Sequence, residues 1–449
     1  MRLFLKLAVV LGLTVLILIP LAMISDLVAE RQVYRQHAIE TIARSAAGAQ
    51  SFVGPVLVVP YVETVEVEEA GPMGVRKVLR NQPGQWTFFP TTLSVTGKLR
   101  PETRNLGLHR VRVYDWRGHA AAQVRATIPA DADPARPRRI GRPYLSYGIA
   151  DVRGLRGSPT LKVEGRALPV TGGFGARDAG GLHVRLPAPR AGQVLAFATT
   201  LDLALGGTES LALVPIAGDN RFSLDSTWQH PRFGGSFLPT ARTIGDKGFA
   251  AQWGVSSIAS NAQAQFLAGR TLPGVAVTEG GAAMATSDLD AVGVSLVEPV
   301  NVYLQAERAT KYGVLFVLLT FVGFFMFELI KQLPIHPIQY GLVGLALAIF
   351  FLLLVSLSEH IAFGAAYLVS AAACIGLLGF YLSAVLRSVA RGMGFAGMLS
   401  ALYAALYGLL ISEDNALVLG ACLLFGILAA IMVVTRKVDW YALSTQFRT

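Results

Sequence analysis

Residues 340–357 read YGLVGLALAIFFLLLVSL, a run without a single Asp, Glu, Lys or Arg. At about 1.5 Å per residue it makes a helix roughly 27 Å long, close to the ~30 Å hydrocarbon core of a bilayer. Soluble core helices seldom sustain such a run, so this stretch decides the class: the chain crosses a membrane. Comparable apolar stretches occupy Leu3–Ile24, Tyr312–Ile330, Ile361–Leu386, Met393–Ile411 and Ala416–Thr435, which makes six spans. The whole chain agrees, being 53% hydrophobic and 15% charged with a mean hydropathy of +0.50. A soluble domain carries about 25% charged residues, so a plain cytosolic enzyme is excluded. Disorder is excluded too, because so apolar a chain offsets its ordering entropy by burial.

The first stretch is interrupted only by Lys6 and Pro20. Its charge-free part, Leu7–Ile24, exceeds the usual ~7–15 residues of a signal-peptide core. The nearest small-residue site, Leu27-Val28-Ala29, is a poor cleavage sequence, so residues 1–25 read as a retained anchor. Lys and Arg near the span ends set orientation. Arg2, Lys6, Lys331, Arg387, Arg391, Arg436, Lys437 and Arg448 gather on one side, while the other has Arg308 and Lys311 beside loops 358–360 and 412–415. That bias places both termini in the cytoplasm and residues 26–310 on the outer face of the membrane. Residues 311–449 form a five-helix membrane domain. Long loops translocate largely regardless of charge, so the net +6 of the exported segment (30 Lys and Arg against 24 Asp and Glu) does not reverse this.

The exported segment starts with a helical pattern over Asp26–Ala47 that extends the first span. From Phe52 onward short β-like runs alternate with Gly and Pro: Val56–Val59, Val62–Val67, Trp86–Phe89, Val111–Tyr114, Leu182–Leu186, Leu195–Leu205, Phe249–Ser256 and Val292–Val297. Strands without intervening amphipathic helices argue a β-sandwich-like domain. The fold class is therefore α+β, six transmembrane helices with a large exported β domain between the first two. A joint between two β subdomains has two candidate places, Asp131–Pro143 and Gly172–Gly181. The chain has two cysteines, Cys374 and Cys422, both in apolar stretches, so neither a disulfide framework nor a thiolate metal site is available to the exported segment.

Chemistry is sparse. Gly392-x-Gly394-x-x-Gly397 spells a dinucleotide fingerprint but opens a membrane helix with no strand before it, so helix packing explains it better. Ala366, Ser370 and Cys374, four residues apart, are small enough to let helices approach. Glu328 is the one carboxylate inside a run; it reads as an interfacial partner of Lys331, with a proton path as the sharper alternative. Glu359 and His360 form a turn that could bind a metal or sense pH, although a polar interface turn is the plainer reading. Trp228-Gln229-His230-Pro231-Arg232-Phe233 is a binding edge or a core-anchored loop. No G-x-S-x-G, H-E-x-x-H or P-loop motif occurs, so no catalytic, cofactor or metal residues are assigned. Despite a pI of 9.7 the short cytoplasmic loops cannot form a nucleic-acid-reading module.

Several segments carry a resemblance. They are Val53-Gly54-Pro55, His230-Pro231 with Phe237-Leu238-Pro239, Arg308-Ala309-Thr310-Lys311-Tyr312, and Phe325–Glu328. His336-Pro337-x-Gln339-Tyr340-x-Leu342-Val343-Gly344, Leu357-Ser358-Glu359-His360 and Asp439-Trp440-Tyr441 complete the set. In order and spacing the chain resembles the CreD family of Gram-negative inner-membrane proteins, almost end to end. The resemblance implies an envelope-integrity role within a two-component regulon, with effects on colicin tolerance and β-lactam response, and no catalytic residues. Glu359, His360, Glu328, His336, Trp228 and His230 stand as the candidate functional residues. The expected partners are membrane lipids and a periplasmic envelope component or membrane protein. The expected function is non-enzymatic; a transporter or lipid carrier is the alternative, and a membrane-linked hydrolase a third reading.

Overall fold

The computed structural model describes residues 2–71, 74–131, 133–175, 177–273, 277–278, 281–282, 289–296, 302–331, 335–412 and 416–436. The chain divides into two compact units, Met1–Arg35 with Val300–Thr449, and Gln36–Pro299. One helix belongs to both: α1 (Arg2–Ser45) carries the first apolar stretch and the helical pattern after it without interruption.

In the unit Gln36–Pro299, period-two burial builds the strands. Along His109–Thr127, Val111, Val113, Trp116, Ala120, Ala122, Val124 and Ala126 are buried while Arg117, His119, Gln123 and Arg125 are exposed. One sheet runs in the order Pro231–Gly235, Val292–Leu296, Ser210–Leu213, Gln50–Gly71, Tyr144–Ile149, Arg177–Arg185, Thr171–Phe174. Gly74–Phe88 and Arg139–Ile140 also pair with its Gln50–Gly71 strand. The second sheet runs Ala241–Gly245, Gly248–Ser256, Asp219–Ser226, Thr92–Leu106, His109–Thr127, Val194–Thr208, Leu155–Val163, Arg166–Leu168.

The sheets face each other across one core. Phe52 meets Trp116 edge-on at 5.7 Å, Phe233 meets Phe249 and Trp253 at 5.5 and 5.8 Å, and the Tyr147 and Thr199 hydroxyls are 3.1 Å apart. The Tyr114 hydroxyl donates to the Ser210 carbonyl at 2.5 Å, and burial pushes the Tyr114 and Tyr147 phenols well above the ordinary tyrosine range. Leu145, Phe174 and Leu182, in or beside the two candidate joints, lie in the same core as Phe52, and Gln36–Pro299 is one compact unit. A short helix, α2 (Ala262–Leu267), seats Phe266 in that core; no apolar periodicity of useful length announces it.

The other unit is helical: α3 (Val302–Lys331), α4 (Pro337–Ser358), α5 (Phe363–Val385), α6 (Val389–Ile411) and α7 (Ala416–Thr435). Among the described residues five helices are long and apolar enough to cross a membrane: Leu11–Ser45, Tyr303–Met326, α4, α5 and α6. The sixth expected span coincides with α7. Aromatic rings fill the bundle interior, with Phe316 and Phe350 each 4.6 Å from Tyr403. The small-residue face of α5 is buried, as the spacing of Ala366, Ser370 and Cys374 predicts.

Candidate functional site

Two carboxylates hold the helical unit together near its opposite ends. Glu359 closes α4 at the α4–α5 turn, and its side chain is 8% exposed. Arg31 of α1 places Nε 3.3 Å from Glu359 Oε1, and the Tyr303 hydroxyl of α3 donates to the same oxygen at 3.4 Å. Beside them Gln32 donates to Glu307 at 3.2 Å, and Glu307 pairs with Lys311 at 2.7 Å. One carboxylate thus gathers three helices. His360, next in sequence, is exposed and spends its backbone N–H on the Leu357 carbonyl. The Glu359-His360 turn is therefore a helix clasp. No group of His, Cys, Asp and Glu able to hold a metal occurs among the described residues.

At the other end Glu328 is 5% exposed. It accepts the Tyr340 hydroxyl at 2.7 Å and the Ile335 N–H at 3.4 Å, tying α3 to the start of α4. The expected pairing with the Lys331 side chain lies outside the described residues. His336 is the N-cap of α4: its Nδ1 accepts the Ile338 N–H at 3.3 Å, while Gln339 accepts the His336 N–H at 3.0 Å, with Pro337 at the first helical position. The His336-Pro337-x-Gln339 motif is accordingly a reciprocal cap, which satisfies amides that the helix cannot.

Between these ends a polar seam joins α4, α5 and α6. Tyr367 donates to the Tyr403 carbonyl at 2.7 Å, Tyr403 to Cys374 Sγ at 3.1 Å, and Cys374 to the Ala346 carbonyl at 3.5 Å. Gly392 is a close-approach glycine: a Cβ there would come 2.1 Å from Ser383 Oγ and 2.8 Å from Ser383 backbone atoms, whereas one at Gly394 or Gly397 would meet nothing. The three glycines lie inside α6, so the lettered fingerprint is packing of α6 on α5.

In the sheet unit, Trp228 is half-buried against the core, donates Nε1–H to the His230 carbonyl at 2.8 Å, and has the Arg112 guanidinium 4.5 Å over its ring. The exposed His230 ring sits edge-on at 6.1 Å. This fits the core-anchored loop better than an open binding edge. A denser network fixes the end of α1. Gly48 N–H donates to Asp151 Oδ2 at 3.0 Å, Thr208 Oγ1 to the Ala47 carbonyl at 2.6 Å, and Gln50 Nε2 to the Asp151 and Gly206 carbonyls at 2.8 and 2.9 Å. Arg153 bonds Asp151 Oδ2 at 2.6 Å and the Arg44 carbonyl at 2.9 Å, and its guanidinium holds the Asp151 carboxyl below the usual carboxylate range. Ala38 and Ile42 pack on Val111 and Val113. Sequence reading missed this junction and the Arg31 and Tyr303 partners of Glu359. The segments involved are distant in the chain, and their one local signal is Asp151 two residues before Arg153.

The family described as Inner membrane protein CreD matches residues 2–441. The chain belongs to the CreD family. The Inner membrane protein CreD of Escherichia coli (strain K12) is 34% identical over 452 residues, covering 98% of this chain and 94% of that protein. This CreD-family chain is therefore a multi-pass inner-membrane protein with a large sheet domain near its N-terminus. Among solved structures, an M1 zinc metallopeptidase from Deinococcus radiodurans aligns at 11% identity with a TM-score of 0.19, over 37% of this chain and 38% of its own. A likeness at that level carries no argument about fold or activity. The motif Asp439-Trp440-Tyr441 and the loop residues 413–415 lie outside the described residues.

Proposed function

We propose that this CreD-family protein is a non-enzymatic envelope-integrity protein whose exported sheet domain binds an envelope component and whose first helix relays that state. In this reading six helices span the inner membrane, both termini are cytoplasmic, and the Gln36–Pro299 unit is periplasmic. The observation that carries it is the treatment of α1. Arg31 and Gln32 fasten it to Glu359 and Glu307 among the membrane helices. Twelve to seventeen residues on, Arg44, Ala47 and Gly48 are bonded into the sheet domain. A helix with side-chain and backbone bonds into each unit can pass a displacement along its length, whereas a mere tether needs no such bonds. The basic exported domain favours anionic polymers or headgroups as the bound component.

Native mass spectrometry of the full-length protein in gentle detergent tests the binding half. A reproducible glycan, lipid or peptide adduct that remains on the sheet unit after proteolytic release supports the reading. A carrier is the second reading, favoured by the buried Glu328–Tyr340 pair within the bundle. An adduct that stays with the helices alone would replace the first reading with this one.

A further inference from the structure

Within the sheet unit, the Pro/Arg-rich segment 131–143 leads from His109–Thr127 to Tyr144–Ile149 and carries Arg136, Arg138, Arg139 and Arg142. It is a fixed support, and Arg138 is its rivet. The Arg138 backbone N–H donates to Asp131 Oδ1 at 3.0 Å and its Nε to Glu63 at 3.2 Å. Its guanidinium lies 5.7 and 5.6 Å from the ring centroids of Tyr61 and Trp86, which stack on each other at 4.2 Å. The Gly141 N–H donates to the Pro60 carbonyl and the Leu186 N–H to the Pro143 carbonyl, both at 2.8 Å. Pro134, Pro137 and Pro143 restrict φ along the segment.

The described carboxylates around this segment are already engaged. Glu63 pairs with Arg138, and Glu66 lies 3.7 Å from Lys77 and 4.0 Å from Arg136. Asp133 accepts the Ala135 N–H at 2.9 Å and lies 3.9 Å from Arg136. Arg139, Arg142 and Arg185 are exposed, and none has a carboxylate partner among the described residues. Arg139 pairs with Val62, Tyr144 with Val58, and Arg185 with Tyr144. Val58 and Val62 are four residues apart on one strand, so Arg139, Tyr144 and Arg185 share one face of the sheet. The strand rise sets Arg139 about 14 Å from the Tyr144–Arg185 pair. The Gly141–Pro60 bond places Arg142 between those ends.

We propose that Arg139, Arg142 and Arg185 form a binding line for a linear polyanion in solution, a chain bearing phosphate or carboxylate groups. The proposal rests on the proposed function, to whose binding half it gives a site and a ligand class. Guanidinium forks match phosphate and carboxylate alike, two bonds at a time. Three of them strung along one face suit an extended chain, since a single small anion engages only one or two. A support already fixed without ligand spares the cost of ordering it on binding. A bilayer fits less well. Interfacial elements sink apolar side chains to the acyl boundary, and among the described residues from 133 to 149 no large apolar side chain is exposed.

The test titrates the full-length protein in phosphatidylcholine nanodiscs with fluorescent polyphosphate and, separately, with polygalacturonate. Arg139→Gln, Arg142→Gln and Arg185→Gln together remove the line. Lys98→Gln, Arg117→Gln and Lys162→Gln, exposed on the other sheet, remove the same net charge elsewhere and are the control. Wild type and control should bind at least one chain, and the tighter chain names the group recognised. The line variant should bind it at least tenfold more weakly, with a slope of log affinity against log salt shallower by about two. Equal weakening of both variants would overturn the proposal, as would binding of neither chain by wild type. So would co-sedimentation with phosphatidylglycerol vesicles that the line variant alone loses while its chain binding is unchanged. The native-mass-spectrometry adduct separates this proposal from the proposed function. An adduct on the sheet unit that the line variant retains overturns the line and leaves the proposed function standing. Line-dependent chain binding by a wild type that carries no adduct supports the line and counts against the proposed function.

Discussion

Glu359 and His360 are adjacent in sequence, yet the structure separates them by environment, and their substitutions should behave differently. Arg31 is 38% exposed against 8% for Glu359, so solvent screens the pair and its worth is about 1 kcal/mol. Arg31→Met should lower the thermal midpoint of the full-length protein by roughly 2–4 °C. It should cost much less in a Glu359→Gln background, because the two side chains interact directly. His360→Ala, at an exposed position, should stay within about 0.5 kcal/mol of wild type. A His360 effect as large as that of Arg31 would restore the turn as a functional pair. Tyr340→Phe removes a hydroxyl from the buried Glu328 carboxylate and should cost about 1–3 kcal/mol in the same thermal assay. Asp151 makes a pH prediction. Its folded carboxyl titrates lower than the unfolded value of about 3.9, so its contribution is complete above that value and lost as pH falls through the folded one. The protection of the Gly48 amide against hydrogen exchange, relative to its intrinsic rate at each pH, should therefore fall in wild type below about pH 4, while Asp151→Asn shows no such acid step.

At the scale of elements, the membrane helices were legible because their physics is one-dimensional: a run long enough to cross hydrocarbon is visible in sequence. The strands were legible where Val, Leu and Phe alternate with polar residues, as in Val62–Val67 and Phe249–Ser256. Their sheet order was not, because Gln50–Gly71 pairs with Ser210–Leu213 and Tyr144–Ile149 through chain separations that no local pattern encodes. The same limit hid the α1 junction: Asp151 and Thr208 reach Gly48 and Ala47 only after the sheets assemble. Gly392-x-Gly394-x-x-Gly397 shows letters separating from geometry. Gly392→Ala should destabilise the bundle, since its Cβ would collide with Ser383, while Gly394→Ala and Gly397→Ala should be neutral or slightly stabilising through helix propensity. Thermal unfolding of the three variants distinguishes this from a phosphate-binding loop, in which all three glycines matter.

For the whole molecule, the proposed relay makes α1 more than an anchor. Its last turns are a part of the sheet domain, through Ala38, Ile42 and the bonds to Arg44, Ala47 and Gly48, and its earlier turns are a part of the helical unit through Arg31 and Gln32. The most direct measurement inserts a short flexible Gly-Ser segment between Arg35 and Gln36 and asks whether that variant restores colicin tolerance, the phenotype implied by the family resemblance, in cells lacking the protein. Membrane abundance and the bound adduct are matched to wild type. The relay reading expects a variant that inserts, folds and binds as wild type does, yet fails to restore the phenotype. Full restoration with α1 uncoupled would contradict it, and leave the helix as an anchor alone.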